Sequence, residues 1–177
     1  YEGGSPDTWV SLGGEVILPN DSPVLFRFPE MVMPAGQIMI RMTPLGSGGP
    51  IPSIAVVYTG KLLVLPRRIY QGFAPINYAR TAKVTNGRSE AGNFLGRLVM
   101  QEFVKTTVPL SLIDPTYFRD HIASFLTSSK QYPFFFAWRP ETYPDEVGYC
   151  HMTNDPVPTN EAPHGLISMS MEMTGVI

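Results

Sequence analysis

An apolar run, Phe134 to Trp138, limits what this chain can fold into more than any other segment. Four aromatic side chains and one alanine stand at consecutive positions, so a strand formed here has apolar side chains on both faces. Two prolines, Pro140 and Pro144, follow it directly and lie among acidic residues. The pattern predicts a strand buried on both sides and followed by a stiff loop, which is a scaffold element rather than a catalytic one.

Strict alternation of apolar and polar residues marks the C-terminal segment, Leu166–Ile177. A period of two predicts a half-buried strand with one apolar and one polar face. Methionine side chains adapt to irregular surfaces, which favours a role in contacts with a partner. The apolar positions are Ile167, Met169, Met171 and Met173, and the polar ones are Ser168, Ser170, Glu172 and Thr174.

One helix is indicated, over about residues 115–129. Asp114 is a good N-cap, and Pro115 suits the first helical position because its missing N–H is not needed there. Apolar residues then fall on one face at helical spacing, namely Phe118, Ile122, Phe125 and Leu126. The residues expected to pack under this face are Phe134, Phe136 and Trp138. We expect Phe135 to be covered on the opposite side.

Two long strands before the helix, Ala79–Val84 and Leu95–Val108, are joined by a segment that predicts a chain reversal. Asn86-Gly87, within that segment, favours the positive φ values of a tight hairpin turn. Alternation is irregular in the second strand, so we expect a bend or bulge there. Together with the strands after the helix, the order β-β-α-β-β predicts an antiparallel sheet with the helix packed on it.

Short strands between glycine- and proline-rich loops fill the first part of the chain and predict a small β-sandwich over residues 1–66. The character of the sequence changes at Pro66, where we place the boundary to a second β-sandwich domain, residues 67–177. The predicted fold class is therefore mainly β, with antiparallel β-sandwich modules and one helix on the C-terminal sheet. The predicted short strands are Trp9–Leu18, Val24–Phe28, Gln37–Met42, Ile54–Tyr58 and Lys61–Leu65.

The charge content favours protein partners. Charged residues make up 16% of the chain, against roughly 25% in an average soluble protein. A surface with few charges is typical of one that is buried against partners. The formal net charge of −2 gives no attraction to nucleic acid or to an anionic membrane. We therefore expect no sequence-specific nucleic-acid binding and no membrane insertion.

No pattern in the sequence indicates catalysis. The acids after the aromatic run lie in one short loop, without the opposed carboxylate that glycoside hydrolysis requires. A cluster of potential metal ligands follows, but its spacing matches no zinc pattern. We therefore predict no enzyme activity, no cofactor and no metal. The residues of that cluster are Cys150, His151, Asp155, Glu161 and His164.

Three further segments have a distinctive sequence: Gly87-Arg-Ser-Glu-Ala-Gly-Asn-Phe-Leu-Gly-Arg97, the helix start at Asp114-Pro-Thr-Tyr-Phe-Arg119, and residues 134–149, of which Ala137-Trp-Arg-Pro-Glu-Thr-Tyr-Pro-Asp-Glu-Val147 is the most specific. These segments resemble tail proteins of long-tailed bacteriophages. The resemblance implies a minor tail or tail-tip protein of the distal-tail type, located in the virion. It further implies β-sandwich modules that form a homo-oligomeric ring and contact the tail tube, hub and fibre. The role it implies is structural, without catalytic residues.

The run from Ile54 to Pro66 resembles the closing strands of galactose-binding-like jelly rolls. Residues 1–66 hold fewer strands than such a jelly roll, so this resemblance implies at most a partial one. It leaves open, as an alternative function, a carbohydrate-binding module that attaches the tail to a host-surface glycan. A sugar site needs exposed aromatic side chains, and Trp9 and Tyr58 are the candidates.

The assembly surface predicted from the sequence combines the loop after the aromatic run with the methionine strand. Prolines pre-order the loop, so less entropy is lost when a partner covers it. Its residues are Arg139, Glu141, Tyr143, Asp145, Glu146, Met169, Met171 and Met173.

Overall fold

Strands dominate the structure, a computed structural model in which 38% of the described residues are in strands and 13% in helix. The mainly β, antiparallel class with one helix is confirmed. The residues that the structure describes are 16–18, 21–27, 38–44, 46, 49, 52–69, 72–144, 146–161 and 165–176.

The chain divides into two compact units. One comprises Tyr1–Glu15 and Arg27–Leu62, and the other comprises Val16–Phe26 and Leu63–Ile177. The division after Leu62 lies a few residues before the boundary placed at Pro66. Residues 16–26 belong with the C-terminal part of the chain, which the sequence did not indicate.

The described residues before the first strand of the sheet carry no strand. The strands predicted at Ile54–Tyr58 and Lys61–Leu65 are therefore wrong. So are those within Trp9–Leu18, Val24–Phe28 and Gln37–Met42, as far as these segments are described. Their apolar side chains are largely exposed, as Val57 and Tyr58 illustrate, and strand propensity without a neighbouring strand to pair with does not make a strand. The sandwich over residues 1–66 rests largely on residues outside the described part and stays a prediction.

One six-stranded antiparallel sheet forms the centre of the second unit. Its strands are β1 (Arg80–Arg88), β2 (Phe94–Ile113), β3 (Phe134–Ala137), β4 (Val147–Met152), β5 (Thr159–Glu161) and β6 (Leu166–Val176). The order across the sheet is β1-β2-β6-β4-β3, and β5 pairs with β6 beside β4. A second sheet, which a sandwich needs, is not found among the described residues.

The predicted helix is confirmed at both ends. It begins as α-helix at Pro115–Tyr117, widens into a π-helical segment at Phe118–Ile122 and continues as α-helix at Ala123–Ser129. The Asp114 carboxylate accepts hydrogen bonds from the backbone N–H groups of Thr116 and Tyr117, at 2.8 and 3.1 Å. These bonds lower the pKa of Asp114 below its ordinary 3.8. The ionised Asp114 cap therefore contributes its full stabilisation at pH values above 3.8, the ordinary pKa. This contribution is lost as the pH falls through the lowered pKa of the folded state.

The core lies between the helix and one face of the sheet. On that face β2 and β6 place apolar residues opposite each other, such as Val108 against Met171 and Leu110 against Met169. The opposite face of the same ladder is polar, as the pair Thr107 and Glu172 illustrates. Ile122 and Leu126 of the helix are buried here, together with Ile76, Cys150 and Met173.

The aromatic run forms β3, which is an edge strand, so the prediction that it is buried on both sides is wrong. Its residues are only partly buried, because β4 is its single neighbour among the strands that the structure describes. Phe134 meets Phe125 of the helix edge to face at 5.0 Å, as predicted. Phe136 also packs against the core that Ile122 and Leu126 help to form, and both Phe136 and Trp138 contact Phe73, at 5.9 and 5.6 Å between ring centres. On the opposite face, Phe135 stacks against Tyr149.

A β-bulge interrupts the pairing of β2 with β6. Leu110 lies opposite Met169, but Ile113 lies opposite Ile167, so β2 carries one extra residue. Leu112 has a φ of 56°, in the left-handed region that residues other than glycine seldom adopt. Its N–H donates to the Ser168 hydroxyl at 3.4 Å.

The closest approach of β4 to β6 predicts one sensitive position, Gly175. A methyl group there would collide with the Tyr149 carbonyl oxygen and lie 2.8 Å from Cys150 Cα. We expect Gly175→Ala to lower the free energy of unfolding by roughly 1–3 kcal/mol, because backbone must shift to admit it. The matched control is Gly96→Ala, also in a strand, where an added methyl group meets nothing within 4 Å. If urea unfolding gives the two variants the same free energy of unfolding, the close packing of β4 against β6 at Gly175 is contradicted.

Candidate assembly surface

Half of β2 extends beyond the body of the sheet. β6 pairs with β2 only from Val104 to Ile113, and from Phe94 to Phe103 the neighbour of β2 in the described structure is β1 alone. At about 3.3 Å per residue, that stretch is roughly 30 Å long. We call residues 80–103, which comprise β1, the turn and this part of β2, the projecting hairpin.

The turn of the hairpin lies further along the chain than predicted. Asn86 and Gly87 are within β1, opposite Arg97 and Gly96. The reversal occurs instead over residues 89–93, where the Gly92 N–H donates to the Ser89 carbonyl at 2.9 Å and the Asn93 N–H donates to the Ser89 hydroxyl at 3.1 Å. Gly92 has a φ of 81°, which glycine adopts without strain. The bulge expected in the second strand is confirmed. Lys83 lies opposite Gln101 and Val84 lies opposite Val99, so β2 carries one extra residue at this point.

The projecting hairpin exposes a dense group of large apolar side chains. Five such residues within the seven positions 94–100 are between 47% and 70% exposed. A two-stranded hairpin with no covered face is marginally stable in water, and apolar patches of this kind mark interaction sites. The five residues are Phe94, Leu95, Leu98, Val99 and Met100.

One face of the hairpin has a shallow apolar notch. Gly87 and Gly96 are cross-strand partners and leave the floor without side chains. Leu95 and Leu98 stand beside this floor, and Thr85 and Arg97 complete the lining. Glycine pairs of this kind leave room for an aromatic ring to lie over the backbone.

Residues 139–146, which follow Trp138 in the loop between β3 and β4 and which we call the acidic loop, are the other candidate surface. Its backbone forms turns, in one of which the Tyr143 N–H donates a hydrogen bond to the Arg139 carbonyl at 2.7 Å. The Arg139 guanidinium lies 4.4 Å from the Trp138 ring centre, a cation–π contact. Arg139, Glu141 and Tyr143 are exposed, as the prediction requires, and Asp145 is outside the described residues.

Glu146 does not belong to an exposed surface. Its side chain is 8% exposed, and Oε2 has no hydrogen-bond partner in the described part of the chain. Reversing this charge would force a long cation into a buried site, at a cost to the fold itself. The expectation that Glu146 contacts a partner is therefore wrong.

The methionine strand was also assigned to the wrong role. Met169, Met171 and Met173 are 6%, 3% and 0% exposed, because the helix covers their face of β6. The alternation correctly indicated an apolar face but not what covers it. These residues hold the fold together and cannot meet a partner without unfolding.

The remaining predicted residues form no site in the described structure. Tyr58 is exposed and lies in a stretch without regular structure, and Trp9 lies outside the described residues. Among the described residues, no three of His, Cys, Asp and Glu are grouped so as to hold a metal ion. Glu161 instead accepts a hydrogen bond from the Ser168 hydroxyl.

Cys150 lies in the core, where burial raises the pKa of its thiol to about 12. Because the thiolate is the reactive form, we expect a disulfide reagent to label the native chain much more slowly than the unfolded chain. The control is Val157→Cys, at a position 72% exposed, whose added thiol should react at once. Labelling of Cys150 at the rate of that control would show that the β4–β6 core is open.

No protein-family model, no curated protein and no solved structure matches this chain. In the described part of the chain, no helix is both long and apolar enough to cross a membrane. The likeness to phage tail proteins therefore rests on the sequence segments alone.

Proposed function

We propose that this protein is a structural component of a bacteriophage tail, where it assembles with further copies as a ring or hub subunit at the tail tip. The observation that carries the proposal is the projecting hairpin, with its five exposed large apolar residues. The segments that resemble tail proteins supply the setting, since Gly87–Arg97 lies within this hairpin and Ala137–Val147 contains the whole acidic loop.

Assembly explains why the hairpin is exposed in one copy. The side chains at positions 94–100 leave water only when another protein covers them, and that transfer drives association. A catalytic protein needs convergent polar groups in a pocket, and the described residues of the hairpin and the acidic loop bring no such groups together. The protein acts by holding its neighbours in place, with the tail tube, hub and fibre as partners.

The proposal predicts that the purified full chain forms an oligomer of fixed size and that the same chain is present in purified tails. Burial of the hairpin supplies the driving force, so the oligomer should dissociate on dilution with a measurable constant. Sedimentation velocity and native mass spectrometry measure the oligomer, and peptide mass spectrometry of tails measures its presence. A chain that stays monomeric at every concentration and is missing from tails would contradict the proposal.

A further inference from the structure

We propose that the projecting hairpin of one copy receives the acidic loop of a second copy, so that subunits join head to tail. The inference rests on the proposed function and specifies the contact that performs it. The occupant of the hairpin notch is thus a second copy of this chain, and Tyr143 is the residue that enters the notch.

The placement of the two surfaces favours a head-to-tail contact. β1 is at one end of the strand order, and β3, which leads into the acidic loop, is at the other end. Each copy therefore has one of each surface, located at opposite edges of its sheet. A contact between two different surfaces leaves both copies with an unused partner surface, and such contacts close into rings when the rotation between copies permits.

The charges of the two surfaces are complementary. The projecting hairpin has four cations and two carboxylates, with Arg88 and Arg97 near its turn. The acidic loop has three carboxylates and one arginine. Because the Glu146 side chain is buried, Glu141 and Asp145 are the two carboxylates that count against Arg139, which leaves a net charge of about −1 for this surface. Opposite charge steers two surfaces together and fixes their register.

The shapes also correspond. The notch over Gly87 and Gly96 is apolar and lacks side chains on its floor. Tyr143 is 46% exposed and stands in a loop held by backbone hydrogen bonds from Tyr143 and Glu146. A tyrosine ring lying over paired glycines excludes water from both strands, and Leu95 and Leu98 border it.

Cations on an edge strand have a second role, since they prevent strands of different molecules from pairing. Arg80 and Lys83 of β1 suit that role. The role does not account for Leu95 and Leu98, which are 70% and 63% exposed on the same hairpin. A hairpin built only to avoid association would not display them.

The first test removes the apolar border of the notch. In the full chain, Leu95→Asp together with Leu98→Asp should raise the dissociation constant of the oligomer by on the order of tenfold or more, as loss of buried apolar anchors does. The melting temperature should stay close to that of the unaltered chain, because both residues are exposed. Val157→Asp is the control, since it replaces an apolar residue with an aspartate, one charge rather than two, at a position 72% exposed outside the hairpin.

The second test removes the tyrosine. Tyr143→Ser should weaken association, whereas Tyr132→Ser, at a tyrosine that is 63% exposed after the helix, should not. Equal effects of the two serine variants would overturn the role of Tyr143.

Mixing the variants distinguishes head-to-tail contact from other arrangements. The hairpin variant and an acidic-loop variant (Glu141→Lys with Tyr143→Ser) should each be monomeric alone and should form a dimer, and nothing larger, when mixed. If the variant with Leu95→Asp and Leu98→Asp still forms oligomers, this inference is wrong but self-assembly is not. The hairpin would then bind a different tail protein. A hairpin-to-hairpin contact, revealed by dimers of the loop variant alone, overturns it too. If the unaltered chain is monomeric throughout, the proposed self-assembly fails as well.

Discussion

The antiparallel pairing of β2 with β6 is the interaction on which the rest of the structure depends. It joins segments that are far apart in the sequence, and it creates the apolar face that the helix covers. β1 attaches to β2, and β4 and β5 attach to β6, so the sheet has no other centre. Pairing of segments so far apart requires the intervening chain to be closed first, at a cost in entropy, and we expect this ladder to limit the folding rate of the unit.

Local signals in the sequence were sufficient for the helix and for the C-terminal strand. Asp114 and Pro115 determine a helix start through hydrogen bonds within a few residues, and the period of two at Met169–Met173 determines a strand by itself. Both depend on neighbours along the chain, so both are visible without a structure. The same holds for the hairpin, although its turn is set by Ser89 and Gly92 rather than by the more conspicuous Asn86-Gly87.

What covers a given face was not predictable, because it depends on strand order. The aromatic run suggested a central strand, yet β3 is at an edge and Phe73 covers part of it. The methionine face suggested a partner, yet the helix of the same chain covers it. Conversely, the residues from Phe94 to Met100 were expected in an ordinary strand, and only the length of β6 reveals that half of β2 has no second neighbour among the described residues. Composition did not indicate which apolar residues are exposed: Met169, Met171 and Met173 are buried, and the exposed apolar group lies at positions 94–100.

The bulge at Leu112 has a consequence for the accuracy of folding. A strand with a period of two keeps its apolar face inward when it slides by two residues, so alternation alone does not prevent β6 from pairing with β2 in a displaced frame. The extra residue has a left-handed backbone, which costs roughly 1–2 kcal/mol, and the hydrogen bond from its N–H to Ser168 forms only in the observed register. The bulge therefore favours this register over one displaced by two residues, and in this register Gly175 lies opposite Cys150 of β4.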